Sequence, residues 1–382
     1  MSIVTTSNFL LYAIASFIST MTTTMVYVSP LIIAMEVSGE EDHGKVALLQ
    51  CIGWTAGMSL MPLVFWATRD WVWFLMLTSL PIGLFGLWNK YMLESPRWLA
   101  TKGQYRKCAK VLNRIAKLNG KDVKITEKTL IDAMPDQESE KVFGIMSLFT
   151  HWRLAKNTMM LFICWSNFEI TYILLMLNST RMGGNPFLNF LYHSAIEVLS
   201  YACGIYLTDR IGRRYSNALA MILICFTCVP VILLARDRES EYIVRGLVVF
   251  IKLLISFLFF TINLQALEIF PTCLRQSGMS ASIIAGCTFA TVGPYIMYLG
   301  TEYDVRYPYF AIGALAFLGL IASLSLPETL HHKLPNTLYD AKKFGRDQKF
   351  WFLPKKPIEA NEEEMESLRK LPETRDIGQN EV

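Results

Sequence analysis

Charge is scarce in this 382-residue chain: 18% of its residues are Asp, Glu, Lys or Arg, while 53% are hydrophobic. Soluble domains carry about 25% charged residues, so a soluble globular class is excluded from the start. Clustered chemistry is lacking too. The eight cysteines fall inside apolar runs (Cys51, Cys164, Cys203, Cys225, Cys228, Cys287) or beside basic ones (Cys108, Cys273), with neither a disulfide framework nor metal-ligand spacing. No His, Cys or acid cluster has catalytic spacing, and no Gly-Lys loop of the ATP-binding type is present, which argues against an enzyme and against ATP use. His331 and His332 are adjacent but lie beyond the last hydrophobic run, where a solvated pair is the ordinary reading. The first apolar run lacks a basic leader and a small-residue cleavage pattern, so no cleavable signal peptide is expected. No cofactor, metal or nucleic-acid partner is expected.

What is abundant is apolar sequence in runs of span length. Mean hydropathy is +0.34, and the apolar residues group at 9–34, 45–66, 71–93, 157–177, 186–207, 216–235, 242–267, 277–299 and 307–326. A helix needs about 20 such residues to cross the hydrocarbon core. The expected class is therefore an all-α polytopic membrane protein of about nine transmembrane helices, with the lipid bilayer as its first partner. Lys and Arg crowd residues 97–156, 210–214, Arg275 and the tail from Lys333, which places those segments and the carboxy terminus in the cytosol. The acidic connection at 36–45 breaks the rule. An odd span count then puts the amino terminus outside, and the expectation is that helices are missing at the start. Four regions follow: a partial amino-terminal bundle of three helices (1–93), a cytosolic linker (94–156), a six-helix carboxy-terminal bundle (157–327) and a cytosolic tail (328–382). Within the linker, Tyr105, Cys108, Ala109, Leu112, Ile115 and Leu118 recur at helical spacing opposite basic residues, which predicts an amphipathic helix ended by Asn119 and Gly120.

The spans repeat internally. One ends in Leu93-Glu94-Ser95-Pro96-Arg97 and the last ends in Leu326-Pro327-Glu328-Thr329, while Glu36 and Glu268 each follow a span two helices earlier. Spans one to three thus match seven to nine, and spans four to six have no upstream partner. Between two spans lies Asp209-Arg210-Ile211-Gly212-Arg213-Arg214, where Gly212 permits a tight turn and the arginines can bridge to acids.

That hexapeptide resembles the signature loop of the major facilitator superfamily. Joined to Glu94-Ser95-Pro96-Arg97-Trp98-Leu99, to the run from Glu268 to Arg275 and to the Pro327-Glu328-Thr329 ending, it resembles the organic cation and anion (carnitine/zwitterion) transporter family, over nearly the whole chain to about Gly345. The resemblance implies two six-helix bundles rocking about a central site, of which the first three helices are absent here. It also implies a latch: Asp209, Arg210, Arg213 and Arg214 would meet Glu268 and Arg275, or the Glu94 and Arg97 pair, in the outward-open state. The plainer alternative is that these charges anchor helix ends.

Ionisable residues inside spans point to a substrate path. Glu169, Glu197 and Lys252 lie within apolar runs, where a charge costs about 2.5–3.5 kcal/mol on insertion scales and must face a cavity or a partner. The resemblance implies that Glu197 handles charged substrates, that Lys252 stands where the family has arginine, and that Trp165, Tyr172 and Phe260 supply cavity aromatics. A Lys252–Glu197 pair holding the empty site closed is the alternative role for those two. Between 278 and 294 similar family members carry a charge that helps set ion preference, whereas this chain has Cys287, so the sign of the substrate is left open. Two functions are carried forward. One is a secondary carrier of small organic ions, multi-pass in the plasma membrane and working by alternating access. The other is a truncated, non-transporting isoform that associates with full-length carriers.

Overall fold

A computed structural model of the chain describes residues 9–39, 42–88, 94–121, 124–133, 144–179, 185–237, 239–330, 332, 335 and 337–345. The described part of the chain is helical throughout its regular structure. Three long helices come first: α1 (Phe9–Val37), α2 (His43–Thr68) and α3 (Trp71–Trp88). A linker follows with the short helices α4 (Pro96–Thr101), α5 (Tyr105–Leu118) and α6 (Glu127–Ala133), then a 3-10 turn at Ile145–Phe149. The second long series comprises α7 (Trp152–Ser179), α8 (Pro186–Ile211), α9 (Arg213–Leu234), α10 (Glu241–Ile269), α11 (Arg275–Ala290), its continuation α12 (Gly293–Glu302), and α13 (Tyr307–Ser325). A short α14 (Leu338–Lys343) closes the described chain.

Among the described residues the hydrophobic runs lie on nine helical rods, with α11 and α12 forming one rod broken at Thr291 and the end of the third run, 89–93, outside the described residues. Among the described residues, six rods are long and apolar enough by themselves to cross a membrane: α2, α7, α9, α10, α11 with α12, and α13. Helix α8 is not one of them, because Asn189, His193, Glu197 and its charged last turn lower its hydropathy. Helix starts follow local chemistry. Asn185 accepts the Phe187 N–H at 3.0 Å ahead of Pro186, so α8 begins with a side-chain cap and a proline whose missing N–H would have been unpaired anyway.

Pro96 behaves in the same way. Ser95 is extended as expected before proline, yet its hydroxyl accepts the Trp98 N–H at 3.1 Å, so the motif also starts α4. Helices α4 to α6 form a small separate core of Leu99, Ala100, Cys108, Ala109 and Leu130. There the amphipathic α5 turns Cys108 and Ala109 inward, and burial pushes the Cys108 thiol above its usual range.

Helix α10 sits at the centre: every residue from 251 to 269 except Leu253 is buried. It packs on α9, α8 and α7, with α13 and α11 completing the outer contacts of α9 and α7. The amino-terminal helices meet this series where α2 runs along α8 and α1 runs along α11. At the end opposite the basic loops, Asp304 joins two connections, binding Arg236 at 2.8 Å and Arg306 at 2.9 Å. The hydrogen bonds from Arg306 hold its carboxyl down at about 2.

Packing between α7, α9 and α13 depends on Gly319, where an added Cβ would lie 2.1 Å from Asn167 Nδ2 and 2.8 Å from Met221 Cε. Gly246 in α10 has no such neighbour within 4 Å. Gly319→Ala is expected to cost about 1–3 kcal/mol by overpacking, while Gly246→Ala is expected to be neutral or to stabilise by up to about 1 kcal/mol through helix propensity. Thermal unfolding of the two variants in detergent checks this; a Gly319→Ala midpoint at or above that of Gly246→Ala would sink the packing argument.

Candidate functional site

Two clusters of buried charge are built from helices distant in sequence. The first lies at the end that carries the basic loops. Gly212 links α8 to α9 with φ +98°, a conformation that L side chains rarely adopt, and an added Cβ would sit 2.4 Å from Glu328 Oε2. That closeness has a purpose in the geometry. The Glu328 carboxylate accepts the backbone N–H groups of Arg213 (2.8 Å) and Arg214 (3.0 Å), so it caps the first turn of α9, where unpaired N–H groups and the helix dipole favour negative charge.

The Arg213 guanidinium, buried beneath this cap, reaches Glu268 at the end of α10 at 3.2 Å and Asp209 one turn back on α8 at 3.6 Å. Thr329 donates its hydroxyl proton to the other oxygen of Glu268. Arg275, at the start of α11, reaches across to Glu36 at the end of α1 at 3.1 Å and donates to the Leu267 carbonyl at 2.9 Å. This last pair ties the first helical group to the second. Below it, Asn217 donates to Gln265 at 2.7 Å and Gln265 donates to the Pro327 carbonyl at 3.1 Å. Polar contacts thus join the ends of α1, α8, α9, α10 and α11 and the segment after α13 at this face.

Not every motif residue joins it. Arg210 is exposed and lies over the ring of Tyr206 at 4.6 Å, away from the acids. Glu94 is exposed and forms no ion pair with Asp209, Arg210, Arg213 or Arg214 among the described residues; Arg97 is half-buried and within electrostatic reach of Arg275. The expected meeting of the Glu94 and Arg97 pair with the 209–214 loop is therefore absent from this arrangement, because Ser95 and Pro96 turn the chain into α4 and its own small core.

The second cluster lies midway along the helices. Lys252 Nζ of α10 stands 2.7 Å from Glu197 Oε1 of α8 and 3.5 Å from the centroid of the Tyr172 ring of α7. Glu197 also accepts from Tyr172 (3.2 Å), from Tyr201 (3.2 Å) and from Thr55 of α2 (3.4 Å). Its two oxygens are saturated, which is what makes a buried ion pair tolerable once both partners have lost water. The space beside the pair, near His193 and Ser194, is a small pocket of about 10 Å³. That is room for about one water.

Trp165 is buried two turns from Tyr172, edge-on to Phe168 and Phe259 at 5.9 and 6.1 Å, and its indole N–H has no partner in the structure. Phe260, read from sequence as facing a cavity, is instead fully buried between α8 and α10. An added Cβ at Gly204 would lie 2.7 Å from its ring. The next residue back, Phe259, joins Trp165, Phe168 and Tyr27 in the aromatic wall. Cys287 is exposed, and it is the preceding Gly286 that meets α7, where an added Cβ would lie 3.0 Å from Glu169 Cγ and 3.1 Å from the Trp165 carbonyl.

Sequence reading did not assign Thr55, Tyr201 or Thr329. Uncharged hydroxyls inside apolar runs are common enough to carry no signal on their own. Glu36 was visible as the repeat partner of Glu268 and Arg275 as a latch residue, but that the two pair with each other was not.

This architecture matches known proteins. The sugar (and other) transporter family model matches residues 1–338. A carcinine transporter of Drosophila melanogaster is 33% identical over 332 residues, covering 85% of this chain and 49% of that protein. An organic cation/carnitine transporter 2 of Homo sapiens is 28% identical over 323 residues, covering 82% of this chain and 56% of the relative. The chain thus spans about half the length of the curated relatives it matches. Among solved structures, the major facilitator proton:xylose symporter XylE bound to 6-bromo-6-deoxy-D-glucose aligns with a TM-score of 0.63 at 18% identity, covering 81% of this chain and 69% of that one. XylE from E. coli in a partially occluded inward-open conformation aligns with a TM-score of 0.55 at 16% identity. These likenesses show the fold. The helices, the family match and the relatives together identify an integral, multi-pass membrane protein of transporter rather than enzyme ancestry: the chain belongs to the sugar (and other) transporter family of the major facilitator superfamily.

Proposed function

We propose that this chain is a secondary carrier of small organic ions, working by alternating access, and that its substrates carry positive charge. The observation that carries the sign is a charge balance. Within the spans Lys252 is matched by Glu197, Arg275 by Glu36 and Arg213 by Glu268. Glu169, half-buried on α7 and one turn from both Trp165 and Tyr172, has no ion pair or hydrogen bond among the described residues. An unpaired carboxylate at membrane depth is costly until a cation stands beside it. Tyr172 and Tyr27 are within electrostatic reach of Glu169; the Tyr172 ring already holds the Lys252 ammonium at 3.5 Å, and aromatic faces attract organic cations by about 0.5–2 kcal/mol. The names of the relatives, carcinine and organic cation/carnitine transporters, agree with this class.

In this reading the Glu197–Lys252 pair closes the empty site. With a pocket of about 10 Å³ beside it, an organic molecule enters only when the pair parts, and substrate charge then competes for Glu197. The ladder around Arg213, Glu268, Glu328 and Arg275 is the latch that holds the basic face shut. That face is cytosolic, the carboxy terminus lies on the same side, and the membrane is the plasma membrane. Several buried pairs acting together suffice to bias two states separated by a few kcal/mol.

The test is uptake of labelled tetraethylammonium and benzoate by cells expressing the chain, with surface labelling to confirm delivery. Saturable tetraethylammonium uptake is the expected result, and no uptake of either probe by delivered protein overturns the carrier reading. Glu169→Gln is expected to lower tetraethylammonium uptake by about tenfold or more, the scale of one lost charge-assisted contact, at unchanged surface level. Glu197→Gln should do the same, whereas equal loss of uptake and surface delivery would make Glu197 structural. Glu268→Gln leaves Arg213 short of its buried partner, a defect of about 3–5 kcal/mol in such pairs. It should slow uptake while tetraethylammonium binding persists, and undiminished uptake removes the latch.

A further inference from the structure

At the basic face, away from the central site, α7, α9 and α13 surround a cavity of about 670 Å³. Its polar wall is cationic: Arg153 and Lys156 from the first turns of α7 and Arg214 from the first turn of α9, with Asn157 beside them and no carboxylate in the lining. Its other wall is apolar, from Leu324 and Leu326 at the end of α13 and Phe344 after α14. One positive wall facing one greasy wall suits an amphiphile with an anionic head.

The surroundings decide between a lipid and a soluble anion. Met159 and Ile163 continue the Trp152–Lys156 stripe along α7 at helical spacing, and Phe317, Leu318 and Ile321 continue the Ser325 stripe along α13; all five are exposed apolar side chains. Because α7 and α13 pack against each other, the two stripes are exposed apolar surface on neighbouring helices, running along the spans from residues that line the cavity. A free phosphate has no use for such a surface, whereas an acyl chain does. Trp152, 83% exposed at the mouth, sits where tryptophans mark the headgroup level of a bilayer.

We infer that this cavity binds the headgroup of an anionic phospholipid, with an acyl chain lying along the exposed apolar surface of α7 and α13. Basic pockets between spanning helices are suited to such headgroups. Occupancy has a structural consequence. The Arg214 guanidinium donates to the Leu324 carbonyl while its backbone N–H is held by Glu328. A phosphate bridging Arg214 to Arg153 and Lys156 would therefore fasten α7 to the capped turn of α9 and favour the arrangement in which the basic face is closed.

The test uses the full chain, purified and delipidated in detergent, with thermal unfolding read against added phosphatidylglycerol, phosphatidylcholine or inorganic phosphate. Phosphatidylglycerol should raise the midpoint in a saturable way, and the two other probes should not. In Arg153→Gln/Lys156→Gln, whose side chains are half-buried and exposed and take no part in the Glu328 cap, the phosphatidylglycerol response should need about 30-fold more lipid, on the scale of fivefold per cation. Lys156→Gln alone, at the more exposed position, should show about fivefold and keeps the test valid if the double variant folds poorly. Four results overturn the inference. They are equal stabilisation by phosphatidylcholine, no stabilisation by phosphatidylglycerol, an unchanged phosphatidylglycerol response in both variants, and reproduction of the effect by inorganic phosphate, which would make the site one for a soluble anion.

Discussion

The cost of holding charge away from water governs this structure. Hydrocarbon offers a charged side chain nothing in exchange for its hydration, so each one inside a span must meet an opposite charge, a set of hydrogen-bond donors or a wet cavity. Glu197 meets Lys252, Tyr172, Tyr201 and Thr55, drawing α2, α7 and α10 onto α8. Arg275 meets Glu36 and draws α1 onto α11; Arg213 meets Glu268 and draws α9 onto α10. The pairs are few, but each bridges different helices. Satisfying the charges therefore sets much of the helix arrangement, and α10, which contributes to two of the three pairs, is also the most enclosed helix.

Buried ion pairs are a poor way to gain stability, since apolar residues of like volume would often serve as well or better. They are a good way to make a contact that exists in one arrangement and not in another. A Lys–Glu contact parts as soon as water or a competing charge reaches it, whereas an interlocked apolar surface parts only by exposing area. On the carrier reading, this explains why polar contacts lie at two levels. The middle pair responds to substrate, and the ladder at the basic face responds to movement of the helix ends. Close packing such as that of Gly319 against Asn167 and Met221 sits within the second helical series.

Several candidate positions were legible because charge in an apolar run is conspicuous. Glu197 and Lys252 needed no alignment to stand out, and the pair they form was one of two roles open for them. Phe260 shows the limit. It and Phe259 are adjacent on a helix, about 100° apart, and both belong to an apolar run that is buried on all sides, so periodicity could not say which ring faces α7. Glu328 shows another limit. Read from sequence, it is only part of a motif after the last span, yet its oxygens accept backbone N–H groups exposed by the turn at Gly212. Backbone donors have no signature in a sequence. Pro96 illustrates the converse, a residue read correctly for its local constraint that also opens the next helix.

What the sequence determined by itself is everything that depends on local transfer free energy and local stereochemistry. The hydrophobic runs dictate nine helical rods, the proline and asparagine at 185–186 dictate where a helix starts, and Gly212 dictates a turn that other residues resist. Only the tertiary structure decided which charge meets which. Glu36 and Arg275 are 239 residues apart, and Thr55 and Glu197 are 142 apart. Coulomb energy and hydrogen-bond geometry change over a few tenths of an ångström to a few ångströms, whereas a run of apolar residues constrains its helix only to within the width of a membrane. The closing of that gap is the work of helix packing. Packing left Glu169 without a mate and gathered Arg153, Lys156 and Arg214 around one cavity.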